Sequence, residues 1–123
     1  MAQTDAEGNW TRVGKVRARY AGPVLEVQVD ELTTQTRYYK PLLREFFRKS
    51  FHAARPKWGD FSVHIVMEYV GDAPWMDLDN LAKALLDSAT GAAFHDDSQV
   101  ARLLVERRSS AREAVLIRIE PIP

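Results

Sequence analysis

Apolar positions recur along this chain with two different periods, and the switches between them mark its elements. Val24-Leu25-Glu26-Val27-Gln28-Val29 alternates apolar and polar after its start, which predicts a half-buried strand. Residues 61–70 are rich in β-branched and aromatic side chains and form the strongest strand pattern of the chain. Residues 100–107 and 113–119 read as two more strands, with Ser109-Ser110-Ala111-Arg112 as a hairpin loop between them and Pro121 and Pro123 stopping the second. Within residues 33–54 the period lengthens. Leu42, Leu43, Phe46, Phe47 and Phe51 recur at three- and four-residue spacings as one helical stripe, and Arg37, Lys40, Arg44, Arg48 and Lys49 lie mostly off it. Pro41 lacks the donor that an interior position needs, so the helix starts close to Tyr39 or Lys40. Residues 79–89 read as a second helix, with Leu81, Leu85 and Leu86 on its apolar face and Gly91 placed to end it.

The order β-α-β-α-β-β predicts a single α+β domain, a mixed sheet with two helices packed against it. Residues 1–9 are small and polar and are expected to be disordered. Residues 11–20 alternate Arg12, Lys15, Arg17 and Arg19 with small or apolar residues and fit either an edge strand or a mobile basic arm, punctuated by Gly22-Pro23. The expected division is therefore a flexible basic segment over residues 1–20 and one folded domain over residues 21–123.

Composition narrows the class. A chain of 123 residues, 46% of them hydrophobic, has enough apolar residues for one modest core. The absence of cysteine excludes disulfides and thiolate metal sites, and fits a reducing cytoplasm. No apolar run approaches the roughly 20 residues that span a bilayer, so no membrane is expected, and the first ten residues lack the basic-then-apolar pattern of a secretory signal. The formal charge is zero but unevenly placed. Residues 1–60 hold eleven Lys and Arg against seven Asp and Glu, whereas residues 61–123 hold six against ten. Six aspartates and one lysine fall between Asp72 and Asp97. An acidic cluster beside a basic half suits a metal site surrounded by polyanion contacts, although surface scatter produces such asymmetry too.

The chemistry concentrates in that acidic stretch. Asp77 and Asp79 follow a buried strand and precede a helix, with Lys83 four residues further on and on the same helix face as Asp79. Carboxylates are the ligands of hard divalent cations, and a lysine beside them offsets developing negative charge. Aspartate also caps helices without any function, and an Asp–Lys pair at this spacing is a common surface ion pair. Asp87 lies one turn beyond Lys83, where it can orient that lysine, support a site from outside, or be solvated. Asp96 and Asp97 matter chemically only if the fold brings one of them beside Asp77 and Asp79. A calcium loop would need glycine and glutamate where Ala82 and Ser88 stand, and a phosphoaspartate motif would need Thr or Val at Leu81. No nucleophile elbow, Walker lysine loop or HExxH is present. Of the histidines, His52 and His64 are scattered, and only His95 abuts the acidic residues.

Asp77-Leu78-Asp79-Asn80-Leu81, Lys83, Asp87, Gly91 and Asp96-Asp97-Ser98-Gln99-Val100 together resemble the RusA family of Holliday-junction resolvases of bacteria and their phages. The likeness covers residues 61–120 well and is weak before them. It implies a RusA-like nuclease domain in which Asp77, Asp79 and Asp97 bind Mg²⁺, Lys83 is catalytic, and Asn80, Asp87 and Asp96 lie just behind. It also implies branched DNA, the four-way junction, as substrate, and a homodimer, since resolution needs two symmetric nicks in DNA recombination and repair. Candidate phosphate contacts are Arg12, Lys15, Arg17, Arg19, Arg37, Lys40, Arg44 and Arg107, which would confer salt-dependent affinity without sequence choice. Tyr38, Tyr39 and Trp75 are candidates to stack on exposed bases. Alternatives are a nuclease for other branched DNA, a catalytically silent branched-DNA-binding module, and a small scaffold whose aspartates serve only as caps and turns.

Overall fold

The computed structural model describes residues 9–123 together with the backbone of Gln3–Thr4. In chain order the elements are β1 (Gln3–Thr4), β2 (Thr11–Val13), β3 (Val16–Ala21), β4 (Val24–Val29), α1 (Tyr39–Lys49), β5 (Phe61–Tyr69), α2 (Leu78–Ala89), β6 (Val100–Ser109) and β7 (Ala114–Pro121). The strands form one mixed sheet in the order β1-β2-β3-β4-β7-β5-β6. Every neighbouring pair is antiparallel except β5 and β6, which run parallel. The α+β class, the two helices and the four strands from β4 onward match the sequence pattern, except that Pro121, expected to stop the last strand, is its final residue and pairs with Phe61.

The N-terminal part differs from expectation. The disorder expected at the start falls largely on residues outside those described. Residues 11–20, expected as part of a flexible basic segment, instead build β2 and β3, and β3 is internal to the sheet. Two glycines make this possible. Gly14 and Gly22 sit at φ 59° and 61° as the first residue of tight turns that pair Val13 with Val16 and Ala21 with Val24. Turns with a positive φ there match the twist of the flanking strands.

One face of the sheet carries both helices. Val16, Leu25, Val27, Val63, Ile65, Met67, Val115 and Ile117 meet Leu43 and Phe46 of α1 and Leu81 and Leu85 of α2 in a continuous core. Pro41 is the third residue of α1, where a missing N–H is tolerated because no intrahelical acceptor exists for it. The helix stops at Lys49, five residues short of the pattern's end. The N–H groups of Ser50 and Phe51 both turn back to the Phe46 carbonyl, and Phe51 folds inward to stack between Phe46 and Tyr20. Aromatic burial thus outweighs another turn of helix.

Among the described residues the opposite face bears no helix, and it is laced with charge pairs. Arg19 bonds Glu26 at 2.8 Å, Arg108 bonds Glu68 at 3.1 Å, and His64 Nε2 lies 2.6 Å from Glu106. Trp10 packs on this face, with the guanidinium groups of Arg17 and Arg19 stacked 4.1 Å and 4.3 Å from its ring centre.

Tyr39 fastens the segment before α1 to the core. Its ring is fully buried, its hydroxyl donates to the Glu31 carbonyl at 3.2 Å, and it accepts from the Thr33 N–H at 3.0 Å. Burial pushes its ionisation up to about 12. Replacing it, Tyr39→Phe, is expected to cost about 1–3 kcal/mol in urea unfolding at neutral pH, because the Thr33 N–H loses its acceptor. The folded value lies above the unfolded value of roughly 10, so the hydroxyl's contribution is complete below that pH and is lost as pH rises towards 12. The natural protein should therefore lose more stability than Tyr39→Phe across that alkaline window.

Candidate functional site

β5 and β6 are parallel neighbours, and α2 is the crossover between them. β5 ends at Tyr69, and the chain then turns through Gly71 at φ 73°. Asp77 takes the N-cap position of α2 with extended backbone, and its Oδ1 accepts from the Asp79 N–H at 3.0 Å. This is why Asp77 and Asp79 stand together: the cap fixes one carboxylate, and the first helical turn presents the next. Both are exposed, and both lie at the positive end of the helix dipole. The cap occupies one Asp77 oxygen and leaves the other open. Asp79, Asn80 and Lys83 are exposed, and among the described residues no ion pair ties Asp79 to Lys83. Asp87 instead lies 3.6 Å from Lys40 of α1, and its carbonyl accepts from Arg44 at 3.4 Å. Asn80 and Lys83 border a shallow cleft whose other wall is Thr36, Arg37 and Lys40.

The second acidic pair is built differently. Asp96 caps a short 3-10 turn over Asp97–Gln99, accepting from the Ser98 N–H at 2.9 Å, and the Ser98 contacts hold its carboxyl below the usual range. Gln99 is the rivet of this loop. Its Oε1 accepts from the N–H groups of His95 and Asp96, and its Nε2 donates to the carbonyls of Lys57 and Gly59. His95 stacks on Trp58 with ring centres 4.0 Å apart. Asp97 is exposed on top of this clamped loop.

Topology sets where the two pairs lie. Val100, the first residue of β6, pairs with Phe61, the first residue of β5. Asp96 and Asp97 therefore lie at the end of the sheet where β5 begins, whereas Asp77 and Asp79 follow the end where β5 stops. The 12-residue α2 runs the distance between, roughly 18 Å at 1.5 Å per residue. Within one chain Asp97 does not come beside Asp77 and Asp79, and no group of three acidic or histidine side chains able to hold a metal occurs among the described residues. Asp77 and Asp79 suit a hard cation as a pair of oxygen donors. The third ligand expected from sequence is missing from their end.

The basic residues divide as well. Arg12 pairs with Asp30 at 3.0 Å, Lys15 with Glu31 at 2.7 Å, and Arg19 with Glu26, while Arg17 donates to Gln28 at 3.1 Å. These four are tied into the sheet. Arg37, in the turn before α1, and Lys40 of α1 line the α2 cleft, Arg44 lies one turn further along α1, and Arg107 is exposed on β6. Arg48 extends the same α1 row and flanks a second hollow against Thr90 and Gly91, a role the sequence pattern did not single out. Tyr39 is buried and cannot stack on a base, while Trp75 is 97% exposed two residues before Asp77. Trp58 and Gln99 escaped sequence reasoning because their roles depend on loops that meet only in the fold.

A family model described as "Endodeoxyribonuclease RusA" matches residues 13–120 of the chain. No curated protein matches it.

Removing the Gln99 clamp should loosen the second acidic loop without touching the first. Gln99→Ala is expected to cost about 1–2 kcal/mol in urea unfolding, net of solvent replacing four exposed bonds. Amide exchange at His95 and Asp96 should quicken while that at Leu81 stays unchanged. Unaltered exchange at His95 and Asp96 would remove Gln99 from this role.

Proposed function

Because the chain belongs to the RusA endodeoxyribonuclease family, we propose that it is a Mg²⁺-dependent nuclease selective for branched DNA, which resolves four-way junctions by paired symmetric nicks. The observation that carries this reading is the exposed Asp77, Asp79 and Lys83 set on the first turns of α2, inside the matched region. Asp77 and Asp79 offer open carboxylate oxygens to the cation, and the cap bond fixes their relative geometry before any ligand arrives. A bound Mg²⁺ supplies an activated water and charge neutralisation at the scissile phosphate. Lys83, one turn along the same face, offsets the charge that develops on the phosphate oxygens. Asn80 stands between them to hold a phosphate oxygen or a water.

The substrate's backbone follows the basic row. Arg37 just before α1 and Lys40, Arg44 and Arg48 on it succeed one another at three- and four-residue spacings, with Arg37 and Lys40 across the cleft from Lys83. A duplex arm laid there meets phosphates with cations that carry no base readout, which suits recognition of DNA shape.

Incision of a labelled synthetic four-way junction, with linear duplex and flap controls, tests this. Paired symmetric nicks on the junction are expected with Mg²⁺, none with EDTA and none with Asp79→Asn. Lys83→Met should lower the single-turnover rate by about 100-fold or more with a smaller effect on junction affinity. Arg44→Ala should weaken binding and reduce the salt slope by about one. Tight binding with no cut under any divalent ion would make the protein a silent binding module instead. Asp77→Asn, which keeps the cap, is the variant of choice over Asp77→Ala, which costs about 1 kcal/mol of fold as well.

A further inference from the structure

Tyr38, Trp58 and Trp75 are the exposed aromatic side chains among the described residues, and one of them is backed by a ring lying flat behind it. Tyr38 is met edge-on by Tyr39, with the ring planes 70° apart. Trp75 has no ring contact among the described residues. Trp58 lies on His95 with ring centres 4.0 Å apart and planes 17° from parallel, and it is still 76% exposed. With His95 against one face, that exposure falls on the other face and the edge of the indole.

Both rings are held from behind by one side chain. Gln99 donates to the carbonyls of Lys57 and Gly59, the residues on either side of Trp58, and accepts from the N–H of His95. The Lys57 N–H also donates to the Ala93 carbonyl at 3.2 Å, and the Ile122 N–H to the Asp60 carbonyl at 2.9 Å. A flat apolar surface is therefore in place before any ligand arrives. Such preorganisation removes the ordering cost that a mobile aromatic meets on binding.

The surroundings indicate what the surface receives. Arg55 and Lys57 are exposed beside it and form no ion pair among the described residues. The basic row of α1 runs towards the same end of the molecule: Arg48 flanks the hollow against Gly91, whose N–H donates to the Phe94 carbonyl, next to His95. An aromatic plane with cations around it fits a nucleobase and its phosphates. In continuous duplex each base is covered on both faces by its neighbours, and none is free to stack on an indole. At a branch the pairs around the branch point lose a neighbour, and a base face comes bare. Every base has such a face, so the contact tolerates any sequence.

We propose that Trp58, held flat by His95, stacks on the base face left bare at a branch and is the residue by which this protein tells branched DNA from linear duplex. This rests on the nuclease reading above. The phosphate contacts along α1 meet branched and linear arms alike, so they supply affinity, and Trp58 supplies the discrimination. His95 and Gln99 are its positioning residues.

Photocrosslinking reads the contact directly. A four-way junction carries 5-iododeoxyuridine at the branch point, and a second carries it in the middle of an arm, both bound in EDTA so that the DNA stays whole. Irradiation should join the branch-point base to Trp58, identified by peptide mass spectrometry, and should not join the mid-arm base to it. Trp58→Leu, at an exposed position, should keep the far-UV circular dichroism and sedimenting mass of the natural protein and bind linear duplex as before. Its affinity for the junction should fall by about 5- to 100-fold. Trp58→Phe should retain most of that affinity, and His95→Ala should lower the crosslinking yield. Crosslinking to Trp75 in place of Trp58 overturns the proposal. So does an unchanged ratio of junction to duplex affinity in Trp58→Leu while the natural protein cuts the junction, and neither result touches the nuclease reading. A changed sedimenting mass for Trp58→Leu assigns the ring to a contact between copies and overturns the proposal as well. A natural protein that neither prefers nor cuts branched DNA overturns the nuclease reading and this one with it.

Discussion

The parallel pairing of β5 with β6 is the constraint on which the rest of the molecule depends. Two antiparallel strands can be joined by a turn at one end, but two parallel neighbours need a connection that travels back the whole length of the strand. Here α2 makes that journey. Its start is bound to the end of β5 and its finish to the beginning of β6. Whatever chemistry the sequence places before the helix and after it is thereby assigned to opposite ends of the sheet. The same connection lays α2 beside α1 over one face, which makes the cleft bordered by Arg37, Lys40 and Lys83, and among the described residues it leaves β6 without a neighbour on its outer side.

Charge is distributed in accordance with the two faces. On the face opposite the helices Arg19 and Arg118 are matched by Glu26, and Arg108 by Glu68, on adjoining strands. Exposed pairs of this kind contribute under about 1 kcal/mol each. Their larger consequence is to cancel the local positive field of these arginines. Along α1 and the start of α2 the balance is different: Arg37, Arg48 and Lys83 have no ion-pair partner among the described residues, while Asp87 faces Lys40 and Glu45 is held by Lys49. A neutral chain can thus hold one locally cationic row next to one locally anionic helix start.

What the sequence made legible follows from how local each feature is. β4 depends on alternation alone, so residues 24–29 could be read directly, while the start of α2, expected at residue 79, lies one residue earlier because Asp77 takes the cap. The end of α1 could not, because Phe51 leaves the helical stripe to stack with Tyr20, thirty-one positions earlier in the chain. Nor could the ties of Arg12, Lys15, Arg17 and Arg19, which need the register of β3 against β4. Periodicity shows a basic alternation but not the acidic strand it will face. The motif Asp96-Asp97-Ser98-Gln99 was visible as a motif, yet Gln99 owes its role to carbonyls forty and forty-two positions away. The likeness to a family pointed to three carboxylates acting together; strand order shows that one chain keeps them apart.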